Sequence, residues 1–211
     1  MLHGKYSAVA SLRDPRMKKL WLGAGKHPKE GWVNLDMIAH PGIDVVADLE
    51  KCASVPLPFG DDEFEEIGGS HVLEHVVNTL PMMQELHRIA KNGAKCWFRL
   101  PHGGSDDAWE NPTHVRPYFA HSFGYFGQPF FWREDYGFKG DWATEQVFLS
   151  IAPEVWDFLG GDVEKIAGAV RNQRNVVLEM FVTMRCVKPI REAKRELQES
   201  FKYEVARGTR A

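Results

Sequence analysis

Two small clusters carry side chains whose types and spacing suit chemistry. The first is Gly23-Ala24-Gly25 followed by Asp36. Glycines in such a turn let the backbone approach a ligand where a Cβ would clash, and they allow positive φ. A carboxylate at the end of the next strand can accept both hydroxyl protons of a ribose. The second cluster is a set of histidines, His71, His102 and His114, with Arg116 close by. Each of these histidines falls at the carboxyl end of a strand or in the loop beyond it, where open α/β sheets bind ligands. They are candidates for a general base, and each has a plain structural alternative, a ring that caps a loop by hydrogen bonding. Arg116 offers a planar fork for a carboxylate or phosphate, or for a neighbouring acid such as Asp106, Asp107 or Glu110.

The spacing narrows the ligand. A dinucleotide fold wants a third glycine opening a helix and an acid about twenty residues further on. Here Lys26-His27-Pro28 follows Gly25, and Asp36 stands eleven residues past it. A parallel crossover normally takes a dozen or more residues, so this one must be a cramped loop or a single turn. NAD is disfavoured, and an adenosyl ligand without a pyrophosphate fits better.

The elements that position these residues follow from the pattern. Strands are expected at 19–22, 32–35, 43–47, 64–70, 94–100, 144–152 and 176–187, and the last could run antiparallel. Gly68-Gly69 weaken the fourth strand. Helices are expected at 71–77, 79–91, 118–126, 154–159 and 163–170. A further helix after Pro189 would carry Ala193, Leu197, Phe201 and Val205 on a narrow stripe. Residues 1–18 read as a polar lead-in. The expected fold class is α/β: a Rossmann-like, mostly parallel seven-stranded sheet with helices on both faces, a truncated first crossover and a loop-rich cap after strand five. One domain spans 1–211, with a cofactor half at 19–101, a cap at 102–142 and a helix or tail at 190–211.

Composition sets outer limits. The 211 residues are 44% apolar and 26% charged, with a formal charge of −3. That is a globular composition without the basic stripe that nucleic acid needs. Three dispersed cysteines, Cys52, Cys96 and Cys186, suit buried thiols in a reducing cytosol. With no apolar leader and no long apolar run, the expectation is a cytoplasmic protein with no membrane partner.

Taken in order, LWLGAG, GWVNLD, ADLEKCASVPLPFGDDEFEEI, SHVLEHV and MQELHRIAKNGAKCWFRLP resemble the class I S-adenosylmethionine-dependent methyltransferases, over roughly residues 19–101. They are most similar to small members with a shortened first crossover. The resemblance implies S-adenosyl-L-methionine as cofactor. It implies Gly23, Ala24 and Gly25 at the methionine end and Asp36, with Met37 beside it, at the ribose. Asp48 and Leu49 would flank the adenine, and Ser70 and His71 would lie nearest the methyl group. His27 replaces the third glycine of the family's turn. Asn111 to Tyr118, NPTHVRPY, is similar to a stretch after strand five in methyltransferases of this type, several of them in sugar or glycan pathways. The implied acceptor is a small polar molecule, with a sugar or sugar-linked metabolite foremost. His71 and His114 would be the catalytic candidates, and His102, Glu110, Asn111, His114 and Arg116 the acceptor-binding ones. The dense aromatics from Phe123 to Trp142 would cap and line the pocket, or else form a homodimer interface.

Three rivals remain. His71-Val-Leu-Glu74-His75 satisfies H-x-x-E-H, in which two imidazoles on one helix face bind zinc, with Glu145 or Glu154 as a third ligand. That motif needs a long helix, whereas here it follows a Gly-Gly-Ser turn, so no metal is expected. Methylation of nucleic acid is disfavoured because Asn111-Pro112-Thr113 lacks the aromatic that stacks a flipped base. A non-catalytic cofactor-binding or regulatory protein would keep the fold and lose the acceptor site.

Overall fold

The structure, a computed structural model, describes residues 19–198 and 202–209. Eight strands form one sheet: β1 (Lys19–Leu22), β2 (Val33–Asp36), β3 (Val45–Val46), β4 (Phe64–Ser70), β5 (Ala90–Pro101), β6 (Trp142–Ile151), β7 (Val177–Cys186) and β8 (Tyr203–Arg207). Their order across the sheet is β3-β2-β1-β4-β5-β7-β6-β8. From β1 the chain steps one way to β2 and β3, then returns to β4 and β5 on the other side. All of those neighbours are parallel. The reversal leaves a crevice at the carboxyl ends of β1 and β4, the place where open α/β sheets bind ligands.

Alternation fixes the inner face. Leu20 and Leu22 of β1, Cys96, Phe98 and Leu100 of β5, and Met180, Val182 and Met184 of β7 all point into one core. Helix α1 (Thr79–Ile89) seals that core with Met82, Met83, Leu86 and Ile89, each fully buried at the helical spacing read from the sequence. Three shorter helices follow: α2 (Asp107–Glu110), α3 (Pro153–Phe158) and α4 (Val163–Asn172).

The first crossover contains no helix, as the short spacing predicts. In place of one, Trp21, Trp32 and Trp97 pack on each other with ring centroids 5.3–6.2 Å apart. Lys29 sits over all three rings at 4.0–4.7 Å. Burial there holds the Lys29 ammonium below its ordinary pKa. The same cluster explains one glycine of β4, and the turn after the strand explains the other. A Cβ on Gly68 would lie 2.6 Å from the Trp97 ring, and one on Gly69 would lie 2.6 Å from Val72 Cγ1. These glycines are where an aromatic ring and the next turn approach the strand.

Several expectations need correction. Among the described residues the sheet has eight strands, not seven, and is mixed: β7 runs antiparallel to both β5 and β6. The eighth strand comes from the tail that was expected to be helical. The described part of that tail is a 3-10 turn at Arg195–Leu197 followed by β8, paired parallel to β6. Its spacing-four stripe cannot be followed in full, since Phe201, like the 1–18 lead-in, lies outside the described residues. Helical cover on both faces is reduced on the outer side. Trp97, Arg99 and Phe148 stay only partly buried there, and Phe181 is exposed. Residues 71–77 are not a helix but a bend leading into a 3-10 turn, Leu73–His75. Where a helix was expected at 118–126, the cap forms 3-10 turns, Ala120–Phe126 and Gln128–Phe131. All three cysteines are free thiols, and burial pushes Cys52 and Cys186 up to about 12. No helix among the described residues is long and apolar enough to cross a membrane.

Candidate active site

At the carboxyl ends of β1, β2 and β4 lies a cleft of about 280 Å³, lined by Gly23, Asp36, Met37, Asp48, Leu49 and His71, among others. Gly23 has φ +61°, and a Cβ on it would come within 2.8 Å of Val72 Cγ2, so both conformation and space demand glycine. Asp36 anchors the turn. Its Oδ2 accepts from Gly25 N at 2.8 Å and its Oδ1 from Ile38 N at 2.9 Å. Each carboxylate oxygen has used one lone pair on backbone and keeps another for a ligand. Asp48 caps the 3-10 turn Leu49–Lys51 through Glu50 N at 3.0 Å.

Ala24, Gly25 and Ser70 are not among the residues lining the cleft. Ala24 is buried in the turn, where its N–H continues the β1–β2 ladder to Leu35 O at 3.1 Å. Ser70 pairs with Arg99 across the sheet. Sequence reasoning missed Glu50, Ile38, Val72 and His75, which do line the cleft. The Glu50 carboxylate accepts from Val77 N at 2.5 Å and Asn78 N at 3.0 Å, clamping the cleft wall to the start of α1. No motif announces that role, because the partners are backbone groups 27 and 28 residues away.

His71 has φ +52° and points Nε2 at Glu179 Oε1, 2.9 Å away, and Nδ1 at Glu74 Oε1, 3.3 Å away. Glu179 also holds Arg99, at 2.6 Å. The Glu179 carboxylate bonded to the ring, and the Glu74 carboxylate beside it, raise the His71 pKa to about 9. A ring favoured in its protonated form by two carboxylates has no lone pair to take a proton, so this arrangement suits a cation in the cleft wall better than a base.

The wall continues from 71–76 into a second, larger cleft of about 620 Å³ under the cap, lined by Asn78, Arg116, Phe119, Tyr125 and Tyr136, among others. Of the acceptor-binding candidates only Arg116 lines it. Arg116 is exposed and makes no ion pair among the described residues; Asp106 is taken by Arg174 and Asn175. His102 is a loop cap, 5% exposed, with Nδ1 accepting from Gly104 N at 3.1 Å and its edge on Phe119. Burial lowers its pKa to about 4. Glu110 is exposed on α2, away from both clefts. Asn111 turns its Oδ1 back on Thr113, accepting from N at 3.0 Å and from Oγ1 at 2.8 Å. His114 lies against His75, with ring centroids 4.8 Å apart, and beside Glu74 rather than in the larger cleft. The two-histidine zinc pair of the helical reading is not formed, and Glu145, offered there as a third ligand, pairs with Arg185. Glu74, His75 and His114 instead share one spot, with ligand atoms all within 4.8 Å of one another.

No protein-family model matches this chain, and no curated protein matches it by sequence. Solved structures do. An S-adenosylmethionine-dependent methyltransferase from Archaeoglobus fulgidus superposes with a TM-score of 0.51 at 13% identity, covering 81% of this chain and 88% of its own. A second, from Mesorhizobium loti, gives 0.45 at 14% identity, covering 81% and 91%. Phosphoethanolamine N-methyltransferase 2 of Haemonchus contortus, in complex with S-adenosyl-L-methionine, gives 0.48 at 11%, covering 82% of this chain and 49% of that one. The strand order with its crevice between β1 and β4, together with the Archaeoglobus superposition, gives this protein the fold of the class I S-adenosylmethionine-dependent methyltransferases.

Proposed function

We propose that the protein transfers a methyl group from S-adenosyl-L-methionine to a small polar acceptor, foremost a sugar or sugar-linked metabolite. The chain acts as one domain in this reading, with 19–101 holding the cofactor and 102–142 capping the acceptor. The observation that carries it is the cleft at the switch point, where Asp36 keeps a free lone pair on each oxygen above the Gly23 turn. That geometry fits a ribose diol, and the position of Gly23 leaves room for a cofactor tail. Bound there, S-adenosyl-L-methionine supplies an already activated methyl on a sulfonium.

The chain's own task is then to place the acceptor in line with that methyl and to exclude water, an effect worth about 7–11 kcal/mol in well-oriented systems. The larger cleft supports the acceptor assignment. Its lining starts at Val77, the residue after the last one lining the smaller cleft, and it combines flat rings of Phe119, Tyr125 and Tyr136 with the Arg116 guanidinium. Rings can face sugar carbons, and Arg116 suits an acidic or phosphorylated group.

The test is labelled methyl transfer into a small-molecule extract, with products resolved by mass, for the wild type and Arg116→Ala. Transfer should fall about tenfold or more, the scale of one lost charged hydrogen bond, with affinity for S-adenosylhomocysteine unchanged. An equal loss of cofactor affinity would move Arg116 out of the acceptor site, and label appearing only in macromolecules would refute the small acceptor.

A further inference from the structure

Glu74 is a buried carboxylate, 2% exposed, and neither of its oxygens has a hydrogen-bond partner. Leaving such a group unsatisfied is costly, and native structures resolve it with a counter-charge, a water or an ion. His71 Nδ1 faces Oε1 from 3.3 Å and supplies charge on that side alone, which leaves Oε2 buried with no partner. On the other side stand two imidazoles. His114 has a side chain 5% exposed, with Nδ1 buried and unbonded. His75 has Nδ1 3.0 Å from Thr113 O and 3.1 Å from Thr113 Oγ1.

The Thr113 contacts decide the His75 tautomer. A carbonyl oxygen only accepts, and the Thr113 hydroxyl already donates to Asn111 Oδ1. Nδ1 must therefore carry the proton, which leaves the lone pair on Nε2. A histidine held this way, with its second nitrogen donating to a carbonyl, is the usual arrangement of a metal ligand.

We propose that Glu74, His75 and His114 bind one divalent transition-metal ion of the zinc class. Two imidazoles and one carboxylate are the donor set such ions accept, with further positions left open. Their ligand atoms lie within 4.8 Å of one another, so modest side-chain rotation brings each to about 2.0–2.2 Å from a common centre. This reverses the metal-free expectation drawn from the H-x-x-E-H letters. The third ligand is not a distant acid but His114, delivered by the Asn111–His114 turn, which also orients His75. His75 lines the cofactor cleft, so the ion would sit beside the methyl group and hold an acceptor oxygen. That role rests on the proposed methyl transfer, whereas the binding of the ion does not.

The experiment is titration of the metal-stripped full chain with cobalt(II), read by visible d–d absorption, followed by displacement with zinc. One cobalt per chain is expected, its affinity at least about 100-fold weaker in His75→Ala and in Glu74→Gln, and about 10–100-fold weaker in Thr113→Val. Absent d–d bands in the wild type would overturn the site even if the Glu74 variant fails to fold. Affinity unchanged in folded His75→Ala would overturn it equally. Cobalt bound without any affinity for S-adenosylhomocysteine would keep the metal site and remove the methyl-transfer reading; the converse would remove the metal site alone.

Discussion

His102 shows how burial decides a residue's work. Sequence position put it among the acceptor-binding residues, but its ring is inside the loop and its pKa is lowered from 6.5 to about 4. Between those values the unfolded chain binds a proton that the folded chain refuses, so stability is full above the unfolded pKa and declines as pH falls. The loss should approach at most about 3 kcal/mol. Urea denaturation at about pH 7.5 and about pH 5 should show a smaller acid loss for His102→Gln than for the wild type. Equal losses would mean that His102 titrates normally in the fold. Gly23 and Asp36 behaved differently from His102. Their surroundings are built by neighbours close in sequence or on the next strand, and both line one cleft, with Asp36 bonded to the glycine turn.

At the scale of elements, the missing first helix and Gly68 of β4 are one feature. Gly68 is small because Trp97 lies on it, and Trp97 lies there because Trp21 and Trp32 fill the space a helix would take. Gly68→Ala should cost about 1–3 kcal/mol by overpacking. In a Trp97→Ala background the same change should cost far less, so a double-mutant cycle on chemical denaturation should return strong coupling. Additive effects would show that Gly68 is needed for some other reason. The sequence displayed the short crossover through the count of residues between Gly25 and Asp36. It showed the two glycines only as a weakness, since the Trp97 ring that requires Gly68 comes from another strand and the Val72 contact that requires Gly69 depends on how the next turn folds. The 71–77 segment was misread for a related reason. Its apolar spacing mimics a helix, while the positive φ at His71 and the contacts to Thr113 and Glu179 that hold the turn are tertiary.

Across the whole molecule, parallel strands β1 to β5, the core face of α1 and the cleft above Gly23 and Asp36 were legible because each follows from local period and turn chemistry. The eighth strand was not, because a stripe at spacing four in the tail reads as helix until β6 offers an open edge to pair with. The side proposed for the acceptor was legible only as a region. Asn111, Thr113 and His114 act on Glu74 and His75 across the fold, and that partnership leaves no mark in linear spacing. The central claim is that the cleft above Gly23 and Asp36 holds an adenosyl cofactor. Titration calorimetry with S-adenosylhomocysteine tests it most directly. One site per chain is predicted, weakened by about 1.5–3 kcal/mol in a folded Asp36→Ala variant, the scale of hydrogen bonds to a charged group. No binding to the wild type, or equal affinity in the variant, would contradict it.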